Sequence, residues 1–155
     1  MECLGLIREG RTGDMRVLMA WVLSMSVGSM SSVALASDQV FTGTFEGTGR
    51  ACSGALHVRA KTIEWDSAYS VCKATHYEIL EKTLDRDRER VVFHLKQRGN
   101  RCRYSVIEVE HASGYSWNVS GYQSLEAFQK RDLPEWGNSP LPERQVLSCL
   151  MTKTD

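Results

Sequence analysis

The chain has 155 residues, of which 42% are hydrophobic and 25% are charged. This composition excludes collagen-like, low-complexity and wholly disordered proteins, and the length suits one domain. The 19 Lys and Arg residues balance the 19 Asp and Glu residues, which gives zero net charge. No basic field therefore indicates a nucleic-acid partner.

An uncharged stretch over residues 17–37 follows three arginines and begins with an apolar run. It ends with small residues at Ala34 and Ala36, which is the pattern that signal peptidase recognises. We expect cleavage after Ala36, so that residues 1–36 are a signal peptide and residues 37–155 form a single exported domain. The protein is then periplasmic or secreted and bacterial.

An uncleaved membrane anchor is the alternative for this stretch, because a run of about 20 residues can span a bilayer. Its second half is rich in serine, which disfavours an anchor, and we expect no stable membrane insertion after cleavage. The acidic residues Glu2, Glu9 and Asp14 are unusual ahead of a signal peptide. Translation is therefore predicted to start at Met15.

Four cysteines remain after the leader is removed, and in an oxidising compartment they predict two disulfides. A structural zinc site is the alternative, but zinc sites usually contain closely spaced cysteine pairs, and this chain has none. Three pairings are open. We prefer the one that joins the first and last cysteines, because a closing barrel brings its first and last strands together. The preferred pairs are Cys52 with Cys149 and Cys72 with Cys102.

Apolar and polar residues alternate in six segments of the exported part, and the apolar members are β-branched, aromatic or leucine. Such alternation indicates half-buried strands, and glycine-rich and polar turn signals separate the segments. The sequence predicts a mainly β protein, an antiparallel meander of about seven or eight strands that closes into a small barrel or sandwich. The residues expected inside include Leu56, Val58, Ile63, Trp65, Tyr77, Ile79, Val91, Phe93, Leu95, Tyr115, Trp117 and Val119.

One short helix is predicted near the C-terminus, from Ser124 to Arg131. Ser124 is a good N-cap, and Leu125 and Phe128 would pack one face on the sheet. All three prolines of the chain follow, around Trp136, and indicate a long irregular loop.

Motifs for catalysis are missing from the sequence. It contains no Gly-x-Ser-x-Gly elbow, no HExxH and no phosphate-binding glycine loop. We expect no catalytic residue, no metal and no cofactor. An enzyme remains an alternative if at least two of four side chains converge in a pocket. These are His76, His94, Glu108 and Glu110.

Two further groups of polar residues have a possible binding role. His57 lies with His76 and His94 on the face opposite the apolar one, where strand pairing could bring imidazoles together as metal ligands. Three arginines cluster next to Tyr104, and such a cluster can contact phosphate. Solvent exposure on a sheet face is the simpler explanation for both groups. The arginines are Arg98, Arg101 and Arg103.

Residues 111–117, together with Val146 to Cys149, resemble the small periplasmic lysozyme inhibitors. Ser113 and Gly114 are similar to the Ser-Gly loop that those families insert into the lysozyme cleft, and the ending is similar to their final strand. The resemblance implies that Ser113, Gly114 and Tyr115 contact the cleft. It also implies that a nearby cation such as Lys130 pairs with the catalytic carboxylates.

These observations favour an exported, non-enzymatic β-barrel that binds a partner in the cell envelope. A periplasmic lysozyme inhibitor that acts through residues 111–117 is the first alternative. The second is a lipocalin-like carrier of a small apolar ligand, which predicts an interior cavity of roughly a few hundred cubic ångströms.

Overall fold

The computed structural model describes residues 39–85, 88–140 and 145–155. Over these residues the chain forms eight strands that pair in sequence order, each antiparallel to the next, and β8 pairs with β1 to close a barrel. The prediction of a mainly β, antiparallel meander is confirmed. Because β1 and β8 pair, the sheet is a closed barrel and not a sandwich. The strands are β1 Gly43–Gly47, β2 Gly54–Val58, β3 Thr62–Ser67, β4 Ser70–Asp85, β5 Arg88–Leu95, β6 Val106–Ser113, β7 Ser116–Tyr122 and β8 Val146–Lys153.

The meander defines two ends of the barrel. The connections after odd-numbered strands lie at one end, together with both disulfides, and we call it the disulfide end. The connections after even-numbered strands lie at the other. That hairpin end carries the two-residue turn between β6 and β7, the segment 39–42 and the last residues of the chain. The predicted leader, its cleavage point and the start at Met15 lie outside the described residues.

Three short helices occur in the described part of the chain, where one was predicted. Helix α2, Leu125–Gln129, is the predicted one, and its N-cap Ser124 accepts a hydrogen bond from the backbone N–H of Ala127. Helix α1 spans Gly49–Cys52 and helix α3 spans Pro134–Asn138. Both were missed because, unlike α2, neither has a side chain that caps its N-terminus. Helix α3 also replaces part of the predicted irregular loop.

Inward-pointing side chains fill the barrel. Phe93 is fully buried and Trp117 is 3% exposed, as the alternation predicts, and Ile107 is fully buried as well. At the disulfide end the rings of Trp65 and Tyr104 stack with centroids 4.8 Å apart. This stack lies against Gly121, where an added Cβ would meet the Trp65 ring at 2.6 Å. Burial raises the pKa of Tyr104. These buried side chains occupy the interior of the barrel, where a lipocalin-like carrier would need a cavity.

Two residues predicted to point inwards are exposed. Ile79 is 42% exposed for two reasons. Strand β3 begins at Thr62, opposite His76, so the part of β4 that follows His76 has no partner strand on that side. The register between β4 and β5 also shifts between Ile79 and Glu81. Tyr115 is 79% exposed because it belongs to the β6–β7 turn and not to a strand. The alternation is a property of paired strand segments, and both residues lie where that pairing is interrupted.

The segment 39–42 contributes an aromatic plug at the hairpin end. Phe41 precedes β1 yet is 7% exposed and belongs to the main hydrophobic core. Its ring centroid lies 6.1 Å from those of Phe45 and Phe93 and 5.7 Å from that of Trp117. A side chain from outside the sheet therefore completes the core.

Candidate functional site

The β6–β7 hairpin is the most exposed ordered feature that the sequence singled out. Ser113 pairs with Ser116, and between them Gly114 adopts a φ of +55°, a left-handed conformation that favours glycine. The next residue, Tyr115, has an exposed side chain, while the imidazole Nε2 of His111 lies 2.9 Å from the carbonyl oxygen of Gly114. The hairpin thus exposes Tyr115 on a turn whose backbone is in contact with the His111 side chain.

Strand β8 fastens this turn from the other side. The backbone N–H of Lys153 donates to the carbonyl of Tyr115 at 2.9 Å. The Lys153 ammonium lies 5.6 Å from the ring centroid of Trp117 and 5.8 Å from that of the plug residue Phe41. A cation at this distance from aromatic faces is attracted by their quadrupoles. Lys153 is therefore a positive charge at the hairpin end.

Lys130, the cation that the resemblance implies, is not brought near the hairpin. It follows α2, beyond the far end of β7, whose length separates it from the turn by about 20 Å. Its ammonium instead pairs with Glu126 at 2.6 Å. The hydrogen bond and the charge of Lys130 lower the pKa of the Glu126 carboxyl below its usual value. The structure therefore does not bring Lys130 and Ser113 together in one site. Lys153 was missed because it comes close only when β8 pairs with β7.

The four cysteines form two disulfides, in the pairing that the sequence favoured. Cys52 at the end of α1 bonds Cys149 in β8, with Cα atoms 5.6 Å apart. Cys72 in β4 bonds Cys102 in the connection before β6, with Cα atoms 4.3 Å apart. Both link segments far apart in the chain, and neither contacts the hairpin end, so they act as structural cross-links of the barrel.

A polar cluster on the outer wall of the barrel was not predicted. The guanidinium of Arg90 donates to Glu108 and to Glu81, in both cases at 2.5 Å, and the Tyr122 hydroxyl donates to Glu108 at 2.7 Å. Arg131 also reaches Glu81, at 3.5 Å, and its guanidinium lies 3.9 Å from the centroid of the Phe128 ring of α2.

Burial and hydrogen bonding shift the pKa values in this cluster. Burial lowers the pKa of Arg90, but its bonds to Glu81 and Glu108 outweigh that effect and raise it overall. Burial and then the bond to Glu108 raise the pKa of Tyr122 well above its usual value. The Glu108 carboxylate is 8% exposed and already has two donors. The cluster therefore fastens α2 to the sheet.

The four residues named for an enzyme lie in different surroundings. His76 Nδ1 lies 3.1 Å from the carbonyl of Lys61, Glu108 belongs to the outer cluster, and Glu110 is exposed on the outer face opposite Arg90. His94 is half-buried opposite Glu78. Within residues 39–85, 88–140 and 145–155, no group of three or more His, Cys, Asp or Glu is arranged to hold a metal.

The three arginines of the predicted basic cluster divide into two sets. Arg98 donates to the carbonyl of Gln123 at 3.1 Å. Arg101 and Arg103 instead line a surface depression at the disulfide end.

No protein-family model, curated protein or solved structure matches this chain. None of the helices in the described part of the chain combines the length and the apolar character needed to cross a bilayer.

Proposed function

We propose that the chain is an exported, non-enzymatic binding protein of the cell envelope that contacts a protein partner with the β6–β7 hairpin. The observation that carries this proposal is the exposed Tyr115 on a turn that is held by His111 and Lys153. A tyrosine offers a large contact area and few rotatable bonds, and tyrosine is enriched among the residues that dominate binding energy. A turn fixed before binding also lowers the entropy lost on association.

The rest of the barrel supports a scaffold role. Its interior is occupied by side chains, and two disulfides cross-link it. Disulfides form and persist in oxidising compartments, which agrees with export. A rigid scaffold with an exposed aromatic turn is the arrangement that protein-binding modules use.

A site-specific cross-link tests the hairpin as the binding surface. A photo-reactive phenylalanine analogue at position 115, expressed in the native envelope, should give one discrete adduct with a partner. The matched control is the same analogue at Leu133, which is 42% exposed and follows α2, beyond the far end of β7. Adducts at neither position, or equally at both, would overturn the proposal.

Inhibition of a lysozyme is the second candidate. Lys153 stands beside Tyr115, and a positive charge at such a tip complements the carboxylates of a lysozyme cleft. The purified protein should slow the lysis of cell walls by at least one lysozyme class. Ser113→Asp should weaken this inhibition by adding a charge of the same sign as the cleft, whereas Leu133→Ala should not. If no common lysozyme class is inhibited, this candidate is refuted.

A further inference from the structure

A second surface lies at the disulfide end, away from the β6–β7 hairpin. A depression of about 460 Å³ opens between the β3–β4 turn and the connection that precedes β6. Tyr69 lines one side, and Asn100, Arg101 and Arg103 line the other. All four side chains are exposed, and the residues that line the depression include no carboxylate.

The two arginines are held in place by the backbone around them. Cys102 lies between them in the chain and is buried in its disulfide to Cys72. The backbone N–H of Val71 donates to the carbonyl of Arg101 at 3.0 Å, and the backbone N–H of Arg103 donates to the hydroxyl of Ser70 at 2.9 Å. Both arginine side chains are thus attached to backbone positions that are fixed on the same rim of the depression.

In the part of the chain that the structure describes, no carboxylate neutralises the charge of these two arginines. Among the described residues Arg59, Arg90 and Arg131 each pair with a glutamate, while neither Arg101 nor Arg103 has a carboxylate within ion-pair distance. The nearest acid by strand register is Asp66, which lies opposite Val71 and lines a different depression. The rim therefore carries two positive charges although the whole chain is neutral.

We propose that this depression binds a phosphate monoester carried on a sugar-like ring. Guanidinium groups match phosphate oxygens with paired N–H donors. Two guanidinium groups and the Asn100 amide together suit the three terminal oxygens of a phosphate better than the two oxygens of a carboxylate. The exposed ring and hydroxyl of Tyr69 provide a face and a polar contact for the attached ring. The site is independent of the hairpin and of its partner.

Isothermal titration calorimetry on the purified, disulfide-bonded protein tests this site. Glucose 6-phosphate should bind, with an affinity that falls as salt is added, while glucose and acetate should bind much more weakly. Arg101→Gln and Arg103→Gln should each weaken binding by about tenfold, which corresponds to one charge-assisted hydrogen bond. Arg59→Gln is the matched control because it removes an exposed arginine elsewhere on the barrel, and it should leave the affinity unchanged.

Vesicles distinguish a soluble sugar phosphate from a phosphorylated lipid headgroup. Phosphatidylcholine vesicles that contain phosphatidylinositol 4-phosphate, whose phosphate monoester is carried on an inositol ring, should be bound in preference to glucose 6-phosphate if the source is a membrane, and the converse holds if the source is soluble. In either case the two arginine variants must lose binding. If neither probe binds, or if both arginine variants bind as the wild type does, the proposal is wrong.

Discussion

Truncation of the plug residue Phe41 is the sharpest test of how the barrel is completed. Phe41→Ala removes a ring that is 7% exposed and lies within 6.1 Å of three other aromatic centroids. Replacing a buried phenylalanine by alanine costs about 3–5 kcal/mol. Because Phe41 lies at the barrel mouth, where segment 39–42 can adjust, we expect the lower value, about 3 kcal/mol. Domain stabilities are about 5–15 kcal/mol, so the loss is large.

Urea unfolding followed by tryptophan fluorescence measures this loss, since Trp117 lies against Phe41 and reports its environment. Val40→Ala is the matched control: Val40 is the preceding residue and is 57% exposed, so its truncation should change the free energy of unfolding by less than about 0.5 kcal/mol. A loss below about 1 kcal/mol for Phe41→Ala, or an equal loss for both variants, would refute the role of Phe41 as a core residue.

Two further predictions concern the disulfides and the outer cluster. Removing the bridge between Cys52 and Cys149, which are 97 residues apart, should cost about 4.7 kcal/mol, and removing the one between Cys72 and Cys102, which are 30 apart, about 3.7 kcal/mol. Paired alanine substitutions followed by urea unfolding check this order, and a larger loss for the shorter loop would contradict it. The pKa of Tyr122 is raised in the folded state, so its contribution to stability is complete below pH about 10 and is lost as the pH rises towards the folded pKa. Tyr122→Phe should therefore make the alkaline decline of the urea midpoint shallower, and parallel declines in the two proteins would rule this out.

Local pattern was sufficient to predict most of the sheet. Alternation at Leu56 and Val58, or at Val91 and Phe93, reflects the two faces of a strand, which is a property of a few consecutive residues. The Ser124 cap is also local, because its hydroxyl binds a backbone N–H three residues away. These features could be read before any long-range contact was known.

The binding residues were harder to predict. Ser113, Gly114 and Tyr115 lie together because they are consecutive, but their cationic neighbour is Lys153 and not Lys130. Sequence distance from the turn favoured Lys130, whereas the pairing of β8 with β7 decides which cation comes close.

The sequence by itself therefore determined the strands, the capped helix and a set of four cysteines with three possible pairings. Only the tertiary structure decided which pairing closes the barrel, that Phe41 fills its mouth, and that Glu108 is buried between Arg90 and Tyr122. The reason is physical: strand formation depends on neighbours along the chain, whereas burial and charge pairing depend on which distant segments meet when the sheet closes.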